Sequence, residues 1–247
     1  MIEHEQAQEQ EQHILEHLTE LRKRILITLG TFLVALCAAF LYVEPLYEML
    51  TRDVEGKLQV LGPTDVIWVY FMIAGVIALA VTMPVAGFQV WRFVVPGLST
   101  IERRASLAYI PAIGALFLLG LAFGYFVIYP MVLSFLDSLS HHFITAYTAE
   151  RYFRFMVHMT VPFGVLFEMP VVIMFLTSIG ILNPLRLAKM RKIAYLLLTI
   201  AAVTITPPDI VSDILVIVPL LLLYEISVGL SRIVYHKRLT KLELISE

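Results

Sequence analysis

Four carboxylates stand where a carboxylate could do chemistry: Glu20 in "HLTELRKR", Glu102 in "STIERR", Glu168 in "FGVLFEMP" and Glu225 in "LLLLYEIS". The first two lie beside clusters of Lys and Arg. Glu20 precedes Arg24 by four residues, a spacing that puts both on one helix face as a surface ion pair. Glu102 follows Ser99 by three, the spacing of a capping box at a helix start. Either group could also take an external guanidinium, which pairs with a carboxylate through two parallel N–H donors. Glu168 and Glu225 differ, because each interrupts an apolar block that holds no Lys or Arg. Burying an ionised carboxylate in such surroundings costs several kcal/mol unless something compensates, so an ionisable residue in lipid marks a candidate site. Asp209 follows Pro207-Pro208 in "TPPDIVSD", where Asp209 or Ser212 suits the N-cap of a helix. His141-His142 is a poor metal pair, since adjacent helical residues diverge by about 100°. No phosphate-binding Gly-rich loop, HExxH or GxSxG occurs, and no cofactor is expected.

The elements that must hold these groups are membrane helices. The 247 residues are 59% hydrophobic and 15% charged, with mean hydropathy +0.83. A soluble domain carries about 25% charged residues. The net charge of −2 argues against a nucleic-acid partner. The single cysteine, Cys37, allows no intrachain disulfide. The first 24 residues are rich in Glu and Gln and lack the apolar core of a cleavable signal peptide, so the first apolar block is expected to serve as its own insertion signal.

Apolar blocks predict six spans, at about 25–43, 66–91, 105–130, 155–181, 193–206 and 214–230. Residues 1–13 read as a disordered head or a frayed helix, followed by an amphipathic helix over 14–24. Pro130 is expected to end the third span. The last two spans are short: fourteen residues of helix reach about 21 Å against a hydrocarbon core of about 30 Å. Pro84, Pro111, Pro162, Pro170 and Pro219 interrupt the spans and favour kinked helices around a concave surface. Of the eighteen Lys and Arg, fourteen fall in the termini and even-numbered connections and four in the others. That bias predicts both termini in the cytoplasm.

Five stretches in order carry a resemblance: "HLTELRKR" at 17–24, "WRFVVPGLSTIERR" at 91–104, "FGVLFEMP" at 163–170, "TPPDIVSD" at 206–213 and "IVPLLLLYEIS" at 217–227. Together the chain resembles the TatC family, the receptor subunit of the twin-arginine protein translocase. The resemblance implies an all-α integral membrane protein. Its six spans would form a glove-like cup in the plasma membrane, with helices 5 and 6 short. It implies a receptor and scaffold, not an enzyme, that binds Arg-Arg signal peptides of folded cargo. It further implies assembly with small single-span Tat subunits (TatA/TatB type), self-association, and export driven by the proton-motive force. By that resemblance Glu20 and Glu102, with Arg22 and Arg24 beside them, form the peptide site. Glu168 and Glu225 become intramembrane docking positions, and Pro207, Pro208 and Asp209 an external functional loop. The competing reading is a proton- or ion-coupled transporter of small solutes, with Glu168 and Glu225 as coupling sites; the absence of a visible internal repeat counts against it.

Overall fold

The computed structural model describes residues 2–52, 58–95, 103, 106–139 and 147–246, with side chains described only from 18 to 240. Ten α-helices account for the described elements. They are α1 (Ile2–Phe40), α2 (Val43–Thr51), α3 (Pro63–Val94), α4 (Tyr109–Phe123), α5 (Tyr129–Leu139), α6 (Ala149–Leu166), α7 (Met169–Ser178), α8 (Pro184–Lys189), α9 (Arg191–Ile205) and α10 (Ile210–Ser246). A π-helical turn, Gly124–Ile128, joins α4 to α5. Five continuous or nearly continuous stretches are long and apolar enough to cross a membrane: Leu18–Phe40, Pro63–Val94, Tyr109–Leu139, Ala149–Ser178 and Ile210–Thr240. Helix α9 supplies the remaining span, fifth in chain order; its 15 residues reach about 22 Å.

Helix runs past the apolar blocks at three places. The head continues α1 back to Ile2, so of its two readings the helical one holds. Its Glu, Gln and Ala are strong helix formers, and it contains no Gly or Pro to stop a helix. In the third block helix runs on past Pro130 to Leu139. The π turn just before Pro130 bonds the Tyr129 N–H to the Gly124 carbonyl. This widened turn absorbs the proline that an unbroken α-helix would resist. The sixth span is short only in its apolar stretch, for α10 continues as a helix to Ser246.

The prolines act unequally. Pro84, Pro162 and Pro219 lie inside continuous helices. Pro111 and Pro170 instead lie in the first turns of α4 and α7, just after turns at residues 107–108 and 167–168. Elsewhere capping is local. Asp65 accepts from Leu61 N–H and Gly62 N–H at 3.0 Å each, opening α3. At the end of α7, Gly180 takes φ +82, Ile181 N–H bonds Leu176 O and Gly180 N–H bonds Thr177 O. That is the Schellman arrangement, which favours glycine at its left-handed position.

In the order of packing, α1 lies on α3, α3 on α4 and α6, α4 on α6, and α7 and α9 on α10. Helices α4 and α6 approach closely because Gly120, and Gly124 just beyond α4, face the backbone of α6, while Gly164 leaves room for the Phe117 ring. A Cβ on Gly120 would lie 2.5 Å from Phe163 O, and one on Gly124 would lie 2.8 Å from Thr160 Cα. Small residues four apart are the usual device for close helix packing in lipid. Phe117, Phe163, Val216 and Leu220 are fully buried. Thr177 and Ser231 share a buried hydrogen bond of 2.8 Å between α7 and α10. On the opposite side of the molecule from the helix end at Val94, Gln59 pairs with the 147–149 segment through two backbone bonds, Gln59 N–H to Tyr147 O and Ala149 N–H to Gln59 O.

Candidate functional site

Glu20 and Arg24 are brought together. Arg24 Nη2 donates to Glu20 Oε1 at 2.7 Å, as the i,i+4 spacing predicts. Arg24 is no surface residue, however: its side chain is 12% exposed, and Nη1 donates across to Gln89 Oε1 on α3 at 3.3 Å. Glu20 remains one-third exposed, so its carboxylate stays within reach of a ligand. Arg22 is exposed on another face of α1, beside Lys23 and Leu26. Glu102 lies outside the described residues, as do Ser99, Pro96, Gly97, Arg104 and the His141-His142 pair. Residues on either side of that stretch are described. Trp91 Nε1 donates to Ser106 Oγ at 2.8 Å, and Ser106 Oγ donates to the Arg103 carbonyl at 3.1 Å.

Glu168 sits at the break between α6 and α7 and lines a cavity of about 340 Å³. The other walls come from α3, α4 and α7, including Gly87, Trp91, Ile113 and Val171. The residue is 9% exposed, and neither of its carboxylate oxygens meets a hydrogen-bond partner. Thus the carboxylate is buried against this cavity.

Glu225 does not share this situation. Arg191 Nε and Nη2 donate to its two oxygens at 2.8 and 2.9 Å, and Tyr195 Oη donates to Oε1 at 2.6 Å. No Lys or Arg within the sixth span reaches Glu225. Arg191, on the first turn of α9, crosses to it on a long flexible stem. Glu225 therefore fastens the short α9 to α10. With both side chains more than one-third exposed, the pair contributes little to folding. Glu225→Gln is expected to lower the melting temperature of the purified protein only slightly and to leave peptide binding unchanged; thermal melts with a peptide-binding assay check this.

At the α9–α10 hairpin, Asp209 Oδ1 accepts from Ser212 N–H at 2.6 Å, so Asp209, not Ser212, caps α10. Thr206 Oγ1 donates to Asp213 Oδ1 across the same turn, which Pro207 and Pro208 keep out of helix. Sequence reasoning missed Gln89, Tyr195, Ser106 and the pairing role of Arg191. Gln89 was findable: an amide inside the 26-residue charge-free block 66–91 invites the same question as Glu168.

The comparisons agree with this geometry. A family model described as "Sec-independent protein translocase protein (TatC)" matches residues 16–219. The Sec-independent protein translocase protein TatCd of Bacillus subtilis (strain 168) is 56% identical over 93% of this chain and 95% of its own. TatCy of the same organism is 42% identical, over 91% and 90%. The crystal structure of a protein described as "Twin Arginine Translocase Receptor- TatC" superposes with TM-score 0.77 at 32% identity, covering 88% of this chain and 99% of that one. With long apolar helices, the cup and full-length relatives all in agreement, this multi-pass membrane protein belongs to the TatC family of Sec-independent protein translocase proteins.

Proposed function

We propose that the chain is the receptor and assembly scaffold of a twin-arginine translocase in the plasma membrane, with both termini in the cytoplasm. Glu20 and Glu102 take the Arg-Arg pair of a signal peptide on folded cargo. Small single-span Tat subunits and further copies of the chain then assemble around it, and the proton-motive force drives export. The observation that carries the reading is the 2.7 Å contact between Glu20 and Arg24: this partly exposed carboxylate already holds a guanidinium. An Arg of the signal peptide offers the same fork, whereas the point charge of Lys does not reproduce it. The fourteen cationic residues at the termini and even-numbered connections support a cytoplasmic placement for this end.

The test is binding of an Arg-Arg signal peptide and its Lys-Lys counterpart to the full-length protein in lipid nanodiscs. Glu20→Gln and Glu102→Gln are expected to weaken Arg-Arg binding by about 10-fold each, as for loss of one charged hydrogen bond in a partly dry site. Selectivity over Lys-Lys should fall with it. Unchanged Arg-Arg binding in both variants, at normal protein levels, sinks the receptor assignment.

A further inference from the structure

We propose that the groove between α1 and α3 binds one anionic phospholipid, with an acyl chain laid between the two helices and the phosphate at Arg24. The helices run antiparallel: Arg24 meets Gln89 near one end, and Phe40 packs on Tyr70 and Phe71 at the other. Between these contacts the facing residues Thr28, Thr82 and Ala86 are small, and the helices leave a groove of about 560 Å³. Its α1 lining runs from Leu21 to Phe32, about 16 Å of helical rise. One leaflet contributes half of a hydrocarbon core of about 30 Å. The groove therefore reaches from the charged end of the span to the middle of a bilayer, as one acyl chain does. Of the five long apolar spans, α1 is the least enclosed by protein, which leaves the groove open to lipid.

The two ends of the groove differ in chemistry. Leu29, Phe32 and Leu79 line the deep end, where an unfilled apolar gap forfeits dispersion contacts that a lipid tail restores. Arg24 lines the other end. Its Nη atoms donate to Glu20 and Gln89, but its Nε is buried and meets no acceptor among the described residues. A phosphodiester supplies the oxygen this N–H lacks, and the opposite charge with it. Arg22 and Lys23 on α1 and Arg92 on α3 are exposed beside this end and outnumber the Glu20 carboxylate. Basic pockets between membrane helices favour anionic headgroups in this way. Thr82 is buried on the groove wall with its hydroxyl unpaired, yet it needs no lipid atom. It can turn to the carbonyl one helical turn back, as Thr28 does to Arg24.

The experiment titrates the delipidated full-length protein in detergent with phosphatidylglycerol or phosphatidylcholine of the same acyl chains, and counts bound lipid by native mass spectrometry. The parent is expected to hold one phosphatidylglycerol about tenfold more tightly than phosphatidylcholine, the size of one charged hydrogen bond. Thr28→Phe fills the groove and should abolish the tight site for both lipids. Val34→Phe, on an exposed part of α1 outside the groove, should change nothing. Arg24→Gln leaves the groove open and should bring phosphatidylglycerol to within about twofold of phosphatidylcholine. Circular dichroism checks that each variant folds. Equal affinity of the parent for the two lipids overturns the site, and so does tight phosphatidylglycerol binding by a folded Thr28→Phe variant. Displacement of the lipid by excess inorganic phosphate overturns it as well, because that marks an anion site without an acyl chain. An effect of Thr28→Phe on oligomeric mass alone makes the groove a contact between copies of the chain and rules the lipid out. Should Thr28→Phe not fold, Arg24→Gln decides: the full tenfold preference kept in that variant overturns the proposal.

Discussion

Glu168→Leu is expected to abolish export of folded cargo while leaving signal-peptide binding at the Glu20 end within about twofold of the parent. The expectation follows from a carboxylate with two buried oxygens and no partner, facing a cavity walled almost entirely by apolar side chains. A buried polar group left unsatisfied costs about 1–3 kcal/mol, so replacing it by Leu should not harm folding and removes a liability. A chain that keeps such a group needs it for something that arrives later. The break at residues 167–168 adds local polarity, because Pro170 has no N–H to offer the Leu166 carbonyl. We propose that a partner's membrane helix, or the inserted peptide, brings a polar group to this spot. Its loss should slow export roughly tenfold or more, equivalent to about 1.4 kcal/mol or more of docking free energy. Glu168→Gln keeps the size and the hydrogen-bonding edge and should be milder. Export rate and peptide cross-linking, measured side by side in the two variants, decide it. Normal export by the Leu variant reduces Glu168 to a tolerated polar residue. A Gln variant as inactive as Leu shifts the role from hydrogen bonding to ionisation.

Gly120→Val is expected to yield no correctly folded protein, and Gly120→Ala to lose about 1–3 kcal/mol, the cost of overpacking a close contact. The atoms met by a new Cβ are backbone: Phe163 O at 2.5 Å and Gly164 Cα at 2.8 Å. Backbone cannot rotate aside as a side-chain tip does, so α4 and α6 would have to separate. Their separation would shift the turn that carries Glu168, since α6 leads directly into it. The control is Gly30 on α1, where a Cβ meets nothing within 4 Å. Gly30→Ala should be neutral or stabilise by about 0.5–1 kcal/mol through helix propensity. Thermal unfolding of the three detergent-purified variants tests the contrast. Equal tolerance of Ala at positions 30 and 120 would show that the close approach of α4 and α6 is not needed for stability.

Composition and the lengths of the apolar blocks establish a helical membrane protein, and roughly where its spans lie. Length and composition of an apolar stretch settle that without knowledge of neighbours, because every backbone polar group in lipid must bond within its own helix. It also pointed to Glu20, Glu102, Glu168 and the Pro207–Asp209 turn, through local spacing and through motif order. The Glu20–Arg24 pair and the Asp209 cap needed only contacts within four residues, and both are present. Where a contact spans many residues, the sequence failed. Glu168 and Glu225 look alike as carboxylates in apolar blocks, yet one is unpartnered and the other is held by Arg191, 34 residues away. Gln89 lies 65 residues from Arg24, so nothing in either segment announces the bond. The π turn that carries helix through Pro130 likewise depends on Gly124 resting against Thr160 of another helix. Tertiary structure alone decided these points, because which helix packs beside which is set by the fit of whole faces, and a partner's identity is not written into the spacing of either strip of sequence.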